Sequence, residues 1–334
     1  MDGFVEGKTN SDGEASVPSG RIAILTQVLP QTVAIDLADR LGAVSRSAGQ
    51  LQNGAAGDIE ILVTDPGVGA SAALIAELSN LKLIACYGVG VDAIDLAAAR
   101  HRGITVTNTP GSLADDVADL AMALLLASAR DIVLQDRFIR EDGWTRLAAG
   151  VPLSRGLKSK TIGILGLGAI GSAIAERAAA FRMDVRYHGP SPKAVPFAYE
   201  ADLMHLVQLS DFLVVACRGG NDTRHLVNRS VLEALGPAGT LINISRGSVV
   251  DEEALVCALA QGKLGFAALD VFDREPHVSD ALKTMQNVVL TPHQGSATGE
   301  ARLAMAELLV ANVDAFLSGR PCPTPVANSV QPGR

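Results

Sequence analysis

The chain has 334 residues, room for about two domains at roughly 150 residues each, and 48% of them are hydrophobic, with a mean hydropathy of +0.26. Its 28 basic and 36 acidic side chains leave a formal charge of −8 and form no long basic run, which speaks against a nucleic-acid or anionic-membrane surface. Cys86, Cys217, Cys257 and Cys322 are widely scattered without a CxxC pair, so neither a disulfide framework nor a metal site is expected, and a reducing cytoplasm is the expected location.

Residues 1–20, MDGFVEGKTNSDGEASVPSG, lack the basic start and apolar segment of a signal peptide and read as a flexible tail. RIAIL (21–25), EILVT (60–64), LKLIAC (81–86) and ITVTN (104–108) are then short β-rich apolar runs, each followed by turn residues or a helical pattern. That alternation predicts a parallel sheet with crossover helices. One long helical pattern, free of internal Gly and Pro, follows from Leu113 to about Arg140. Its most apolar part, VADLAMALLLASA (117–129), carries Asp119 and is shorter than the roughly 20 residues that cross a bilayer, so no membrane span is expected.

A second alternating set comprises TIGILG (161–166), DVRYH (184–188), DFLVVA (211–216), GTLINIS (239–245), GFAALDVF (265–272) and NVVLTP (287–292), six strands of a doubly wound sheet. Between its fourth and fifth strands, VVDEEALVCALAQGK predicts a helix capped by Asp251 and stopped at Gly262. The fold class is therefore α/β with two Rossmann-like doubly wound domains. The final helical pattern comes after the second sheet is complete and is read as returning to the first domain. The expected division is a first domain at 21–112 and 297–334 around a second at 113–296.

GLGAIG (Gly166, Leu167, Gly168, Ala169, Ile170, Gly171) follows an apolar strand and opens a helix, the context in which this pattern cradles a pyrophosphate. Gly166 permits the tight turn, Gly168 admits the phosphate to the backbone, and Gly171 allows close helix–strand packing, while the helix N-terminus offers free N–H groups. Some twenty residues on, an acid that binds the ribose hydroxyls is expected at the end of the second strand. VRYHGPSPK places Gly189 there instead, followed by Ser191 and Lys193. A hydroxyl and a cation without a carboxylate favour NADP(H) over NAD(H). The other reading of Lys193 is a solvated loop charge.

Open α/β sheets bind ligands beyond the carboxyl ends of their strands. Arg246 follows GTLINIS, Glu275 follows FAALDVF and His293 follows NVVLT. An arginine grips a carboxylate at two points, a histidine exchanges a proton near neutral pH, and a carboxylate beside it orients the ring. That set suits reduction of a 2-oxo acid. Arg246 and Glu275 also admit plainer readings, as members of surface ion pairs or as helix caps.

Residues 81–320 resemble the D-isomer-specific 2-hydroxyacid dehydrogenase family, through YGVGVDAIDLAAARHRGITVTNTPG, GLGAIG, INISRGSVVDEEAL, ALDVFDREP and TPHQGSAT in the family's order. The resemblance implies that the cofactor domain is inserted in the substrate domain. It implies that Arg246 and the N–H groups of Val89 and Gly90 bind the substrate, and that His293, paired with Glu275, is the acid–base. It also implies that Asp270 lies near the nicotinamide carboxamide, with Arg218, Thr223, Ile244 and Gly295 along the cofactor, and that the protein is a homodimer joined through the long helix after Pro110. YHGPSPK and DGWTRL are most similar to the glyoxylate/hydroxypyruvate and hydroxyphenylpyruvate reductases of that family, which generally prefer NADPH. Two positions depart from the pattern: Pro190 replaces the usual arginine beside the missing acid, and Leu147 replaces a tryptophan found in some glyoxylate reductases. The expected reaction is NADPH-preferring reduction of a small 2-oxo acid to the D-2-hydroxy acid. NAD-linked oxidation, and a dinucleotide-sensing corepressor, stand as the alternatives.

Overall fold

A computed structural model of the chain describes residues 21–25, 29–47, 51, 58–111, 113–146 and 153–327, so the segment read as a tail and the departure at Leu147 lie outside the described residues. The chain divides into two compact units, Met1–Thr109 with Ala306–Arg334, and Pro110–Met305.

The first unit holds β1 (Ile22–Ile24), β2 (Val44–Ser45), β3 (Ile61–Thr64), β4 (Leu83–Cys86) and β5 (Thr105–Thr107), all parallel in the order β2-β1-β3-β4-β5. Four of these are the apolar runs read from the sequence; β2 has only two residues and leaves no periodic signal. Every residue of β1, β3, β4 and β5 is buried, as in a parallel sheet covered on both faces. The short helices that follow are capped locally. Ser71 Oγ accepts from Leu74 N at 3.3 Å, and Asp95 Oδ1 from Ala98 N at 2.8 Å.

In the second unit, β6 (Thr161–Leu165), β7 (Asp184–His188), β8 (Ala198–Tyr199), β9 (Phe212–Val215), β10 (Thr240–Asn243), β11 (Phe266–Leu269) and β12 (Val288–Leu290) form a parallel sheet ordered β12-β11-β10-β9-β6-β7-β8. The chain builds outward from β6 in one direction through β8, then returns to place β9 on the other side. The order therefore reverses between β6 and β9, the position at which doubly wound sheets bind ligands. The sheet has seven strands where the sequence predicts six. The added one, β8, contributes two residues, Ala198 and Tyr199, opposite Arg186 and Tyr187.

A second correction concerns the long helix. The expected continuous run from Leu113 to Arg140 is two helices, Ala114–Ala129 and Ile132–Arg140, broken where Asp131 takes φ 52°. Aspartate tolerates that left-handed conformation better than most residues, so the lack of Gly and Pro did not guarantee continuity. The first of the two helices packs on Ala169–Ala180, and both carry buried small residues, Ala118 and Ala121 on the first, Ala175 and Ala178 on the second. Arg177 bridges them, with Nε 2.6 Å from Asp119 and Nη2 3.0 Å from Asp115.

No helix among the described residues is long and apolar enough to cross a membrane, and no group of three or more His, Cys, Asp or Glu among them is placed to hold a metal ion.

Candidate active site

The glycine loop stands at the C-terminal end of β6. Gly166 takes φ 97°, and a Cβ there would lie 2.6 Å from the backbone of Cys217, so only glycine lets β6 and the segment after β9 approach so closely. At Gly171 a Cβ would lie 2.1 Å from the Gly166 carbonyl oxygen, which locks helix Ala169–Ala180 against the turn. Gly168 differs, since a Cβ there would meet nothing within 4 Å. Its surface faces open space at the start of a helix whose first-turn N–H groups have no partner within the helix. These residues fit the pyrophosphate of a dinucleotide. Burial pushes the neighbouring Cys217 thiol up to about 11, so it stays neutral beside this anion site.

Lys193 lies exposed on the loop after β7. Its ammonium donates to the carbonyl of Leu167 inside the glycine loop, and its backbone N–H donates to Tyr187 Oη at 2.7 Å. Ser191 is exposed on the same segment. Arg218 follows β9, its carbonyl accepting from Thr223 Oγ1 at 2.8 Å, and Ile244 is buried just beyond β10.

His293 and Glu275 meet. His293 Nδ1 lies 2.7 Å from Glu275 Oε2, and Glu275 Oε1 accepts the Phe272 N–H at 2.9 Å. Burial acts to raise the Glu275 carboxyl, but the His293 hydrogen bond and charge, the Phe272 N–H and the Arg246 charge together hold it below the ordinary carboxylate value. An ionised carboxylate only accepts, so Nδ1 carries the hydrogen and Nε2 is left to exchange a proton. His293 itself sits at φ 52°, a conformation few side chains adopt.

What holds that turn is Asp270, 1% exposed at the end of β11. Its Oδ1 accepts from Thr291 Oγ1 and Gln294 N, both at 2.7 Å, and its Oδ2 from Gly295 N at 2.9 Å. A second brace is Asn243, also 1% exposed, whose Nδ2 donates to the Arg246 carbonyl at 3.0 Å while its Oδ1 takes the Ser245 N–H at 3.1 Å. Reasoning from the sequence gave neither side chain this bracing role, although a polar residue closing an apolar strand was a usable signal.

Gly247 was also passed over. A Cβ on it would lie 1.9 Å from the Phe272 carbonyl carbon, so the turn carrying Arg246 presses directly on the backbone leading to Glu275. The Arg246 guanidinium is half-buried and donates through Nη1 to the Ser245 carbonyl at 2.7 Å.

In the first unit, Val89 and Gly90 lie in the loop after β4. Gly88 takes φ 156° and packs where a Cβ would be 2.5 Å from Pro66, while Asn108 Nδ2 donates to the Val89 carbonyl at 2.8 Å. The Val89 carbonyl is thus taken by Asn108, and the N–H groups of Val89 and Gly90 have no partner among the described residues. Adjacent unpaired N–H groups in a glycine-rich turn suit an anion.

A dinucleotide fold whose strand ends carry a carboxylate-paired histidine beside an arginine defines an NAD(P)-dependent oxidoreductase. Residues 122–295 match the family described as D-isomer specific 2-hydroxyacid dehydrogenase, NAD binding domain. The chain belongs to this family and is an NAD(P)-dependent 2-hydroxyacid dehydrogenase/reductase. It is 47% identical over 269 residues to the glyoxylate/hydroxypyruvate reductase A of Arabidopsis thaliana, covering 80% of this chain and 85% of that one. It is 46% identical, with the same coverage, to the hydroxyphenylpyruvate reductase of Plectranthus scutellarioides. Among solved structures, the NADPH-dependent glyoxylate/hydroxypyruvate reductase of Sinorhizobium meliloti, in complex with NADP and malonate, superposes with a TM-score of 0.88 at 37% identity, over 95% of this chain and 99% of that one.

Proposed function

We propose that the protein reduces a small 2-oxo acid of the hydroxypyruvate or glyoxylate type to the D-2-hydroxy acid and prefers NADPH to NADH. The observation that carries the acid–base half is the His293–Glu275 contact at 2.7 Å next to the Arg246 turn. When bound, the reduced nicotinamide supplies the hydride. Arg246 grips the substrate carboxylate through a planar two-point contact. In the first unit, the Val89 and Gly90 N–H groups are proposed as donors to an anion. His293 delivers a proton from Nε2 to the carbonyl oxygen as charge develops there, and Glu275 orients the ring through Nδ1.

The cofactor preference rests on Gly189 in place of an acid, with Lys193 seated on the glycine loop. The D configuration rests on family membership. A homodimer is proposed from helix Ile132–Arg140, none of whose residues is buried: Ile132, Val133 and Ile139 are each about half exposed, and Trp144 beyond it is 66% exposed.

A panel of 2-oxo acids assayed with NADPH and NADH tests the reading. Turnover of hydroxypyruvate or glyoxylate with higher kcat/KM for NADPH is expected. Tight dinucleotide binding without turnover of any 2-oxo acid would instead make the protein a sensor.

A further inference from the structure

Tyr187 is the penultimate residue of β7 and only 1% exposed, yet it ends in a hydroxyl, which is costly to bury without a partner. Its partner is the backbone of Lys193. The Lys193 N–H donates to Tyr187 Oη at 2.7 Å, and the hydroxyl reaches the Lys193 carbonyl at 3.5 Å. Between them the chain reads His188-Gly189-Pro190-Ser191-Pro192. Two prolines remove two N–H donors, so this segment has little backbone bonding of its own with which to hold a shape.

The other end of the segment has its own anchor. Tyr199, in the two-residue strand β8, donates from its hydroxyl to the Gly189 carbonyl at 3.1 Å, and its ring centroid lies 5.3 Å from that of Tyr187. β8 is held in place by the next residue, Glu200, whose carboxylate reaches Arg186 at 2.7 Å and His205 at 2.8 Å. Two phenols therefore tie down the segment Gly189–Lys193 at its first and last residues. The Lys193 ammonium, having given one of its three N–H donors to Leu167, keeps two for a ligand.

We propose that Tyr187 and Tyr199 are positioning residues for recognition of the dinucleotide 2′-phosphate: Tyr187 sets Lys193, and Tyr199 sets the backbone at Gly189. Neither phenol touches the phosphate; each acts through the loop. The inference rests on the reading of this loop given above and adds the residues that make it selective. A loop left to fluctuate would lose ordering entropy each time it met the phosphate, and the hydroxyls reduce that loss in advance.

The test is calorimetric titration of the dinucleotide-free protein with NADPH, NADH, 2′,5′-ADP and 5′-AMP, with no turnover involved. Tyr187→Phe and Tyr199→Phe keep the rings and the core packing while removing one hydroxyl each. Each is expected to weaken NADPH and 2′,5′-ADP by about 3- to 10-fold, the weight of one hydrogen bond, while NADH and 5′-AMP change by less than about twofold. Because Tyr187 works through Lys193, the double variant Tyr187→Phe/Lys193→Ala should bind 2′,5′-ADP no more weakly than Lys193→Ala alone. Equal weakening of all four ligands would show that the phenols only maintain the fold, and unchanged affinities would show no role; either result overturns the proposal. If the wild-type protein binds 5′-AMP as tightly as 2′,5′-ADP, the loop reading itself has failed, which is visible before any variant is made, and the inference falls with it.

Discussion

His293 Nδ1 lies 2.7 Å from Glu275 Oε2 although the two residues are 18 positions apart and follow different strands. The parallel pairing of β11 with β12, Leu269 opposite Leu290, brings their exits together. Glu275 is anchored from behind by the Phe272 N–H, so the carboxylate is aimed at the imidazole instead of at solvent.

Replacing Glu275 by Gln keeps the size and the contact with Phe272 but removes the charge that faces the imidazole. The kcat/KM for reduction at neutral pH should therefore fall by about 10-fold or more. Steady-state kinetics at about pH 7 check it; wild-type turnover would mean that Glu275 is not the partner of the catalytic ring.

The same pair makes a pH-dependent contribution to stability. The Glu275 carboxyl is held below its ordinary value of 4.5 in the fold, so its contribution is present above that value and is lost as pH falls through the lowered one. The Tm of the wild type should exceed that of Glu275→Gln at pH 7, and the gap should shrink as pH falls below 4.5. A gap constant to pH 3 would contradict the depressed carboxyl.

Arg246→Lys retains the charge and loses the planar fork. The kcat/KM for the 2-oxo acid should fall by about 10²-fold, roughly 3 kcal/mol of transition-state binding, with little change in dinucleotide affinity. Wild-type turnover in this variant would remove Arg246 from the site.

Gly247→Ala forces a methyl to within 1.9 Å of the Phe272 carbonyl carbon, and backbone cannot swing aside as a side-chain tip can. The variant should lose about 2–4 kcal/mol of stability, and kcat/KM should fall because the turns bearing Arg246 and Glu275 are pushed apart. Chemical denaturation and steady-state kinetics measure the two effects, and a silent substitution would show that the turns are not in contact.

Gly189→Asp introduces a carboxylate where a Cβ meets nothing within 4 Å, so the fold should tolerate it. Two unit charges about 4 Å apart interact by roughly 4 kcal/mol at an effective dielectric of 20, and an open loop reduces that to about 1–3 kcal/mol. The ratio of kcat/KM for NADPH over NADH should therefore drop about 10- to 100-fold. An unchanged ratio would mean that this position does not face the 2′ group.

Local pattern was enough to show where β1, β3–β7 and β9–β12 run, because most are short buried β-rich runs and β7 alternates buried Val185 and Tyr187 with more exposed neighbours. It was enough for the Asp251 cap as well, since Asp251 Oδ1 accepts from Ala254 N at 3.0 Å, a contact three residues long. The glycine spacing of Gly166, Gly168 and Gly171 was equally readable between strand and helix, although the neighbour that demands glycine at Gly166 is Cys217, on a different strand's exit. Where local signals were weak or ambiguous, they failed: β8 is too short for a period to show, and the break at Asp131 depends on one residue entering a conformation that aspartate permits without requiring.

Sequence by itself determined the inventory of this protein: two α/β domains, a phosphate loop, and an arginine, a carboxylate and a histidine at strand ends. Only the tertiary structure decided which of these meet. The Lys193 ammonium meets the Leu167 carbonyl, 26 residues away; Asp270 supports the His293 turn from a different strand, and Gly247 is required by the backbone at Phe272. Such contacts are set by strand order and by the approach of one backbone to another across the sheet. No window of neighbouring residues contains that information, because each side chain in it is compatible with many partners until the sheet places one beside it.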